Sequence, residues 1–226
     1  MELKEIKMIV FDMAGTVVDE KNVVYKTLQK ALNLAGYDFT LETVLTNAGG
    51  KEKFQAIKDM IALSNSNDGK SAEEAYDSFL TFLKEAYENL DVSTYDGVEE
   101  LMEKLRGKDI KIVLNTGYNT KTAENLLQKM NWKKGKQYDL LVAADKVKNG
   151  RPAPDMILLA MEEYKITDAE YVAKVGDSVI DIEEGKAANC GLTFGVTTGA
   201  HTQTQLEEAN PDFILDTLCS MDKYIA

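Results

Sequence analysis

Residues 6–19 read IKMIVFDMAGTVVD, and the change of character at Asp12 decides the fold. Ile6 to Phe11 is a short apolar run rich in residues that favour extended backbone, the mark of a buried strand. At Asp12 it gives way to a carboxylate, small residues and a threonine, so polar groups collect at the strand's C-terminal end.

Outward from that strand the pattern first turns helical. Between Val23 and about Leu90, YKTLQKALNLAG closes on Gly36, KEKFQAIKDMIAL carries apolar residues at helical spacing, and AEEAYDSFLTFLKEAYENL is a long amphipathic segment. SNSNDGKS at 64–71 reads as a polar loop within this block. After Asp91 helices and strands alternate. The sequence predicts a helix near Val98 to Leu105, strand IKIVLN, helix TAENLLQKM, strand DLLVAA, helix PDMILLAMEEY, strand YVAKVG, a helix after Asp181, and strand LTFGV. Such alternation predicts an α/β fold, a mainly parallel sheet with helices on both faces. The expected division is a core of residues 1–18 and 92–226 and a helical insertion of residues 19–91, placed as a lid over the strand ends, where open α/β sheets bind ligands.

The bulk composition excludes several classes. The chain of 226 residues is 44% hydrophobic and 28% charged, the make-up of a globular protein with room for one core domain and a smaller one. MIVF and DLLVAA are too short to span a bilayer and no basic-then-apolar leader precedes them, so a soluble, cytoplasmic protein is expected. Cys190 and Cys219 have neither metal-ligand spacing nor a disulfide framework, which fits a reducing compartment. A formal charge of −12 argues against a nucleic-acid partner, because phosphate backbones are held by clustered Lys and Arg. His201, the only histidine, is expected in a surface loop or at a helix start.

Four segments far apart in sequence each end or follow a predicted strand: Asp12 to Thr16 with Asp19, Asn115-Thr116-Gly117, Arg151-Pro152, and Gly176-Asp177-Ser178 with Asp181. In a parallel sheet such ends share one edge, so these groups can converge. Each segment alone is weak, since an aspartate after a strand is commonly a helix cap and Asp181 could be an acidic residue of a helix's first turn. Their joint order carries the argument. Asp12 and Asp177 would repel a phosphate unless a hard cation lay between, and magnesium takes one or two carboxylates with water and phosphate oxygens. Arg151, the Thr116 hydroxyl and backbone N–H groups near Gly117 would meet the remaining anionic charge. Asp12 could then attack phosphorus and form an acyl-phosphate.

DMAGTVVD, LNTGY, GRPAPD and VGDSVIDIEEG resemble the four motifs of the haloacid dehalogenase superfamily over essentially the whole chain. The resemblance implies a Rossmann-like core with a helical cap, Asp12 as nucleophile, and Mg²⁺ held by Asp12, the Ala14 carbonyl and Asp177. It also implies phosphoryl contacts from Thr116 and Arg151, with Asp181 supporting the metal site. Phosphatases of this superfamily usually carry a general-acid aspartate two residues after the nucleophile, where this chain has Ala14. Such a group is typically worth ~10²–10⁴-fold.

The AGT segment, LNTGY and GRP are most similar to the phosphonoacetaldehyde hydrolase branch. There a cap lysine forms a Schiff base with the substrate aldehyde, so the departing carbon needs no acid. GGKEKFQAI places Lys53 on that lysine and Gly50 on the preceding loop glycine, with Lys51 as the alternative. Gly49 and Ala56 stand where the branch has a methionine and a histidine. For both lysines a solvated helix start is the plain alternative. The expected activity is phosphonatase-like hydrolysis of a small phosphonate or phosphate-ester metabolite, by a monomer or homodimer. The competing readings are a phosphomonoesterase or phosphosugar mutase of the same superfamily, and a non-catalytic binding protein, against which the retained Asp12, Thr116, Arg151, Asp177 and Asp181 argue.

Overall fold

The computed structural model describes residues 4–64 and 69–226, so the middle of the expected 64–71 loop lies outside the described residues. Among these residues six strands form one sheet: β1 (Met8–Asp12), β2 (Lys111–Thr116), β3 (Leu140–Ala143), β4 (Val172–Gly176), β5 (Leu192–Val196) and β6 (Phe213–Leu215). Their order is β3-β2-β1-β4-β5-β6, and every neighbouring pair is parallel. The sheet is thus wholly rather than mainly parallel, and it has a sixth strand that the sequence pattern does not single out.

Alternation along the strands assigns side chains to two apolar layers. Met8 and Val10 join Val113, Val142, Met156 and Ile157 on one face. Ile9 and Phe11 join Ile112, Leu114, Val175 and Phe194 on the other. Helices cover both faces, which leaves β1 without solvent exposure from Met8 to Phe11. The helices of this part are α5 (Val98–Gly107), α6 (Thr120–Lys129), α7 (Asp155–Tyr164), α8 (Val179–Ala187) and α9 (Gln203–Glu208), numbered after the four helices that precede them in the chain. α8 begins at Val179, ahead of Asp181, because Ser178 has extended backbone and Asp181 already belongs to the first turn.

Among the described residues the helices between β1 and α5 are α1 (Val23–Leu34), α2 (Leu41–Ala48), α3 (Lys53–Leu63) and α4 (Ala72–Asn89). α2 is not apparent from apolar spacing; it is started by the Thr40 side chain, which accepts the Thr43 N–H. α4 starts in a capping box between Ser71 and Glu74. The chain leaves the sheet and returns beside itself, with Asp19 bridged to Ser93 in antiparallel register. One apolar cluster continues from the Phe11 face of the sheet into Leu28, Met60 and Phe79 of the insertion, so the two parts share buried surface.

Candidate active site

The strand order reverses between β1 and β4, so a crevice is expected beyond their C-terminal ends. Asp12 ends β1, Thr116 ends β2 and Asp177 follows β4. Asp12, Ala14, Tyr25, Gly50, Lys53, Thr116, Gly117, Tyr118 and Arg151 line one small pocket. Three of the four predicted segments therefore line it, the fourth joins them through Asp181, 3.0 Å from Arg151, and Asp177, 3.5 Å from the Thr16 hydroxyl, and the insertion contributes Lys53 and Gly50 to the same lining. Gly50 has φ +70°, and a side chain there would run into Ile180 and Ser178. That position brings the insertion's backbone against the start of α8.

Arg151 is almost wholly buried, and its guanidinium organises the core side. It donates to Asp12 Oδ1 at 2.7 Å and to Asn115 Oδ1 at 2.7 Å, and lies 3.0 Å from Asp181 and 3.1 Å from Glu184. Asn115 in turn donates to Glu184 at 2.9 Å. Lys174, with no exposure, donates to Asp181 at 2.6 Å and lies 3.5 Å from Glu184. Ser178 donates to the other oxygen of Asp181 at 2.5 Å. Burial opposes charge on Asp181, but Arg151 and Lys174 outweigh it and hold its carboxyl below the usual range. Asn115, Lys174 and Glu184 complete this network; the sequence pattern gives Lys174 and Glu184 no signal beyond their place inside a strand and a helix.

Asp177 is the opposite case. Burial, with the neighbouring Asp12 and Asp181 carboxylates, pushes its carboxyl well above the usual range. It accepts from the Ala200 N–H at 2.6 Å and from the Thr16 hydroxyl at 3.5 Å, and among the described residues no Lys or Arg pairs with it. Gly15 (φ +89°) lies so close that a side chain there would strike the Asp177 carboxylate. Burial also raises Asp12, with Arg151 opposing it. Two desolvated carboxylates beside the Ala14 backbone suit a hard divalent cation whose other ligands are water and phosphate oxygens. Among the described residues no group of three or more His, Cys, Asp or Glu could hold a metal by itself.

Lys53 opens α3 but is only 6% exposed, so it is no solvated helix start. Its ammonium donates to the Lys51 carbonyl at 2.6 Å and lies 5.2 Å from the Tyr25 ring centre and 5.7 Å from that of Tyr118. Burial lowers its pKa to about 8, with Asp12 working against the shift and Arg151 with it. Lys51 points elsewhere: its ammonium pairs with Asp59 at 2.6 Å, in a separate cleft. The Thr116 hydroxyl oxygen accepts the Tyr118 N–H at 3.2 Å.

His201 departs from the surface expectation. It is 7% exposed, because Nδ1 accepts the Val179 N–H at 3.0 Å while Nε2 lies 3.2 Å from the Leu45 carbonyl of the insertion. Burial lowers its pKa. Glu20, at 2% exposure, is another buried group that spacing alone does not mark.

The family model described as "Haloacid dehalogenase-like hydrolase" matches residues 9–194. A phosphonoacetaldehyde hydrolase of Parabacteroides distasonis is 30% identical over 224 residues, covering 91% of this chain and 81% of the relative. A Dickeya dadantii protein named "Probable phosphatase IndB" is 28% identical over 212 residues, covering 93% and 89%. Among solved structures, a phosphonoacetaldehyde hydrolase-like protein of Oleispira antarctica superposes with a TM-score of 0.82 at 22% identity, covering 98% of this chain and 91% of that one, a likeness of fold. Among the described residues no helix is long and apolar enough to cross a membrane. With that match over most of its length, with Asp12 and Thr116 ending strands, Asp177 following one and Arg151 paired to Asp12 from the loop before α7, the chain belongs to the haloacid dehalogenase-like hydrolases.

Proposed function

We propose that this hydrolase cleaves a small carbonyl-bearing phosphonate, with Asp12 attacking phosphorus and Lys53 holding the carbonyl carbon as an imine. The observation that carries the reading is a desolvated lysine in the same pocket as the nucleophile, beside a position, Ala14, that has no acidic side chain. With a pKa of about 8, Lys53 is partly a free amine near neutral pH.

The steps follow from the lining. The Lys53 nitrogen adds to the carbonyl carbon, water leaves, and an iminium results. An Asp12 carboxylate oxygen then bonds to phosphorus as the phosphorus–carbon bond breaks; its electron pair moves to the iminium nitrogen and leaves an enamine. Water hydrolyses the aspartyl-phosphate, and the enamine, once protonated on carbon, is hydrolysed to free Lys53. Arg151, the Thr116 hydroxyl and backbone N–H groups near Gly117 bind the phosphoryl oxygens, while Gly50 and Lys51 shape the loop that closes on the departing group. Asp12, the Ala14 carbonyl and Asp177 would hold magnesium, which supplies positive charge to the phosphoryl oxygens; Asp181, engaged by Lys174, Ser178 and Arg151, supports that site from behind. The helical insertion, residues 19–91, serves as the cap.

The similarity to a phosphatase favours a second reading, hydrolysis of a phosphate monoester, with the Lys53 ammonium protonating the departing oxygen. Borohydride trapping with a phosphonate aldehyde separates the two. The imine reading expects a substrate-dependent adduct on Lys53, loss of at least about 10²-fold in kcat/KM for Lys53→Arg because a guanidinium stays protonated, and silence in excess chelator. Efficient turnover with no lysine adduct, indifferent to Lys53→Arg, would sink it.

A further inference from the structure

A carbonyl carbon held by Lys53 has two further substituents. One is the carbon that bears phosphorus, which must face Asp12; the other is hydrogen in an aldehyde and a second carbon group in a ketone. The space enclosed with Asp12 measures about 10 Å³, on the scale of a single water, so a second carbon group cannot share it with the reacting atoms. Lys53, Gly117 and Tyr118 are walls of that space and also line a larger chamber of about 290 Å³, between α4 and the start of α6.

The walls of this chamber are mostly apolar. α4 contributes Tyr76, Phe79, Leu80 and Leu83, four residues at the spacing of one helix face. The Tyr76 and Phe79 rings lie 6.0 Å apart and Tyr76 meets Phe54 at 5.1 Å, so the aromatic wall is held by its own ring contacts. An apolar cavity of about 150 Å³ already takes a benzene ring, and 290 Å³ admits an aryl group with a short linker. Charge points the same way. Among the described residues that line the chamber Lys53 is the single cation, and it is already bonded to the carbonyl carbon. Glu52, which accepts the Phe54 and Gln55 N–H groups, and Asp145, which accepts the Thr120 N–H and hydroxyl, add two carboxylates. A second anionic group on the substrate would therefore be repelled.

We propose that the substrate is a ketone phosphonate whose second carbonyl substituent is an uncharged apolar or aryl group, seated in this chamber against Tyr76, Phe79 and Leu83. The Lys53 nitrogen bonds to the ketone carbon and water leaves. Asp12 then bonds to phosphorus as the phosphorus–carbon bond breaks, and the bonding pair enters the enamine. Protonation of the enamine carbon and addition of water free the lysine, while a second water releases phosphate from Asp12. The sum is ketone phosphonate plus one water giving a methyl ketone plus phosphate. The proposal rests on the reading of Asp12 and Lys53 as the reacting pair, and it assigns to α4 the choice of the departing fragment.

The first measurement needs no imine. Propylphosphonate and straight-chain phenylbutylphosphonate have no carbonyl and are not cleaved by this chemistry, and calorimetric titration in magnesium should show the aryl compound binding about 10-fold or more tightly. Leu80→Glu, at a position 37% exposed and so tolerant of a polar side chain, should bring that ratio close to one. Thr122→Phe, which fills the chamber from α6, should do the same by occupying the space. The second measurement is kcat/KM for three ketones with alkyl carbon on both sides of the carbonyl, so that their intrinsic reactivities are similar. Relative to acetonylphosphonate, its phenylethyl counterpart should be about 10-fold better. Its carboxyethyl counterpart should be about 10-fold worse. Equal handling of the aryl and methyl compounds, binding of neither phosphonate, an aryl preference that survives both substitutions, or a carboxyethyl ketone turned over as well as the phenylethyl one would each overturn the proposal. If borohydride traps no ketone on Lys53, the imine reading alone fails; an aryl preference in binding that Leu80→Glu removes would still support the chamber.

Discussion

Two regions meet at the pocket, and desolvation has opposite outcomes in them. On the core side, Arg151 and Lys174 interlock with Asp12, Asp181 and Glu184 at 2.6 to 3.5 Å. At Arg151 and Asp181 the neighbouring charges outweigh burial, holding the guanidinium above its usual range and the carboxyl below, each deeper in its charged form, while Asp12 at the pocket's edge is still raised by burial. On the insertion side, Lys53 and Glu20 are as deeply buried but have no ion pair among the described residues, and burial wins, drawing both towards neutrality. Paired charge gives a fixed electrostatic frame for a phosphoryl group. Unpaired buried charge gives groups that can trade protons.

The largest effect expected from breaking the frame is on chemistry rather than on the fold. Asp12→Asn removes the attacking oxygen and a metal charge, yet it leaves an acceptor for Arg151, which retains Asn115, Asp181 and Glu184. Turnover should fall about 10⁴-fold or more while Tm changes little, checked by steady-state assay and thermal melting on protein free of deamidated chains. Substantial residual turnover would remove the covalent step.

Next in size is a stability effect. Lys174→Met leaves Asp181 and Glu184 with one fewer cation in a site without solvent, and truncating one partner of such a network typically costs about 3–5 kcal/mol. Urea unfolding should show that loss, and adding Glu184→Gln should recover part of it, because the remaining buried charge is better balanced. A change below about 1 kcal/mol for Lys174→Met would mean that the core charges are not coupled as their distances imply.

The sequence makes the frame's edge legible and its interior obscure. Asp12, Thr116 and Asp177 are readable because each is a polar residue placed where an apolar strand ends or just beyond one, and parallel strands bring those ends together; Arg151 lies further on, in the loop before α7, and reaches the same edge through its long side chain. Lys174 lies inside β4, where a charged residue among apolar neighbours looks like a break in the pattern until Asp181 and Glu184 on α8 are seen opposite it. Glu184 reads as one more acidic residue of a solvated helix face, yet it has no exposure. His201 is hidden for a related reason: it is buried where it meets the Leu45 carbonyl of the insertion, a contact that no local period records. The short α2 shows no apolar stripe strong enough to mark it, and only its Thr40 cap supplies a local signal.

The smallest expected effect separates the two neighbouring lysines. Lys51 and Lys53 differ by two positions, carry the same charge and open the same helix region, so sequence leaves the choice between them to alignment. Their surroundings differ: Lys51 is about a third exposed and pairs with Asp59, whereas Lys53 is enclosed with Asp12 and Arg151. A partly exposed pair is worth less than about 1 kcal/mol, because solvent screens it and two long side chains must be ordered to form it. The Lys51 carbonyl that receives the Lys53 ammonium is backbone and survives any substitution. Lys51→Met should therefore lower stability by less than about 1 kcal/mol and change kcat/KM only a few-fold, with the borohydride adduct still on Lys53. If Lys51→Met instead abolished the adduct while Lys53→Arg spared it, the reacting amine would lie in the outer cleft, and the contrast between a paired frame and an unpaired proton-trading wall would have to be redrawn around Lys51.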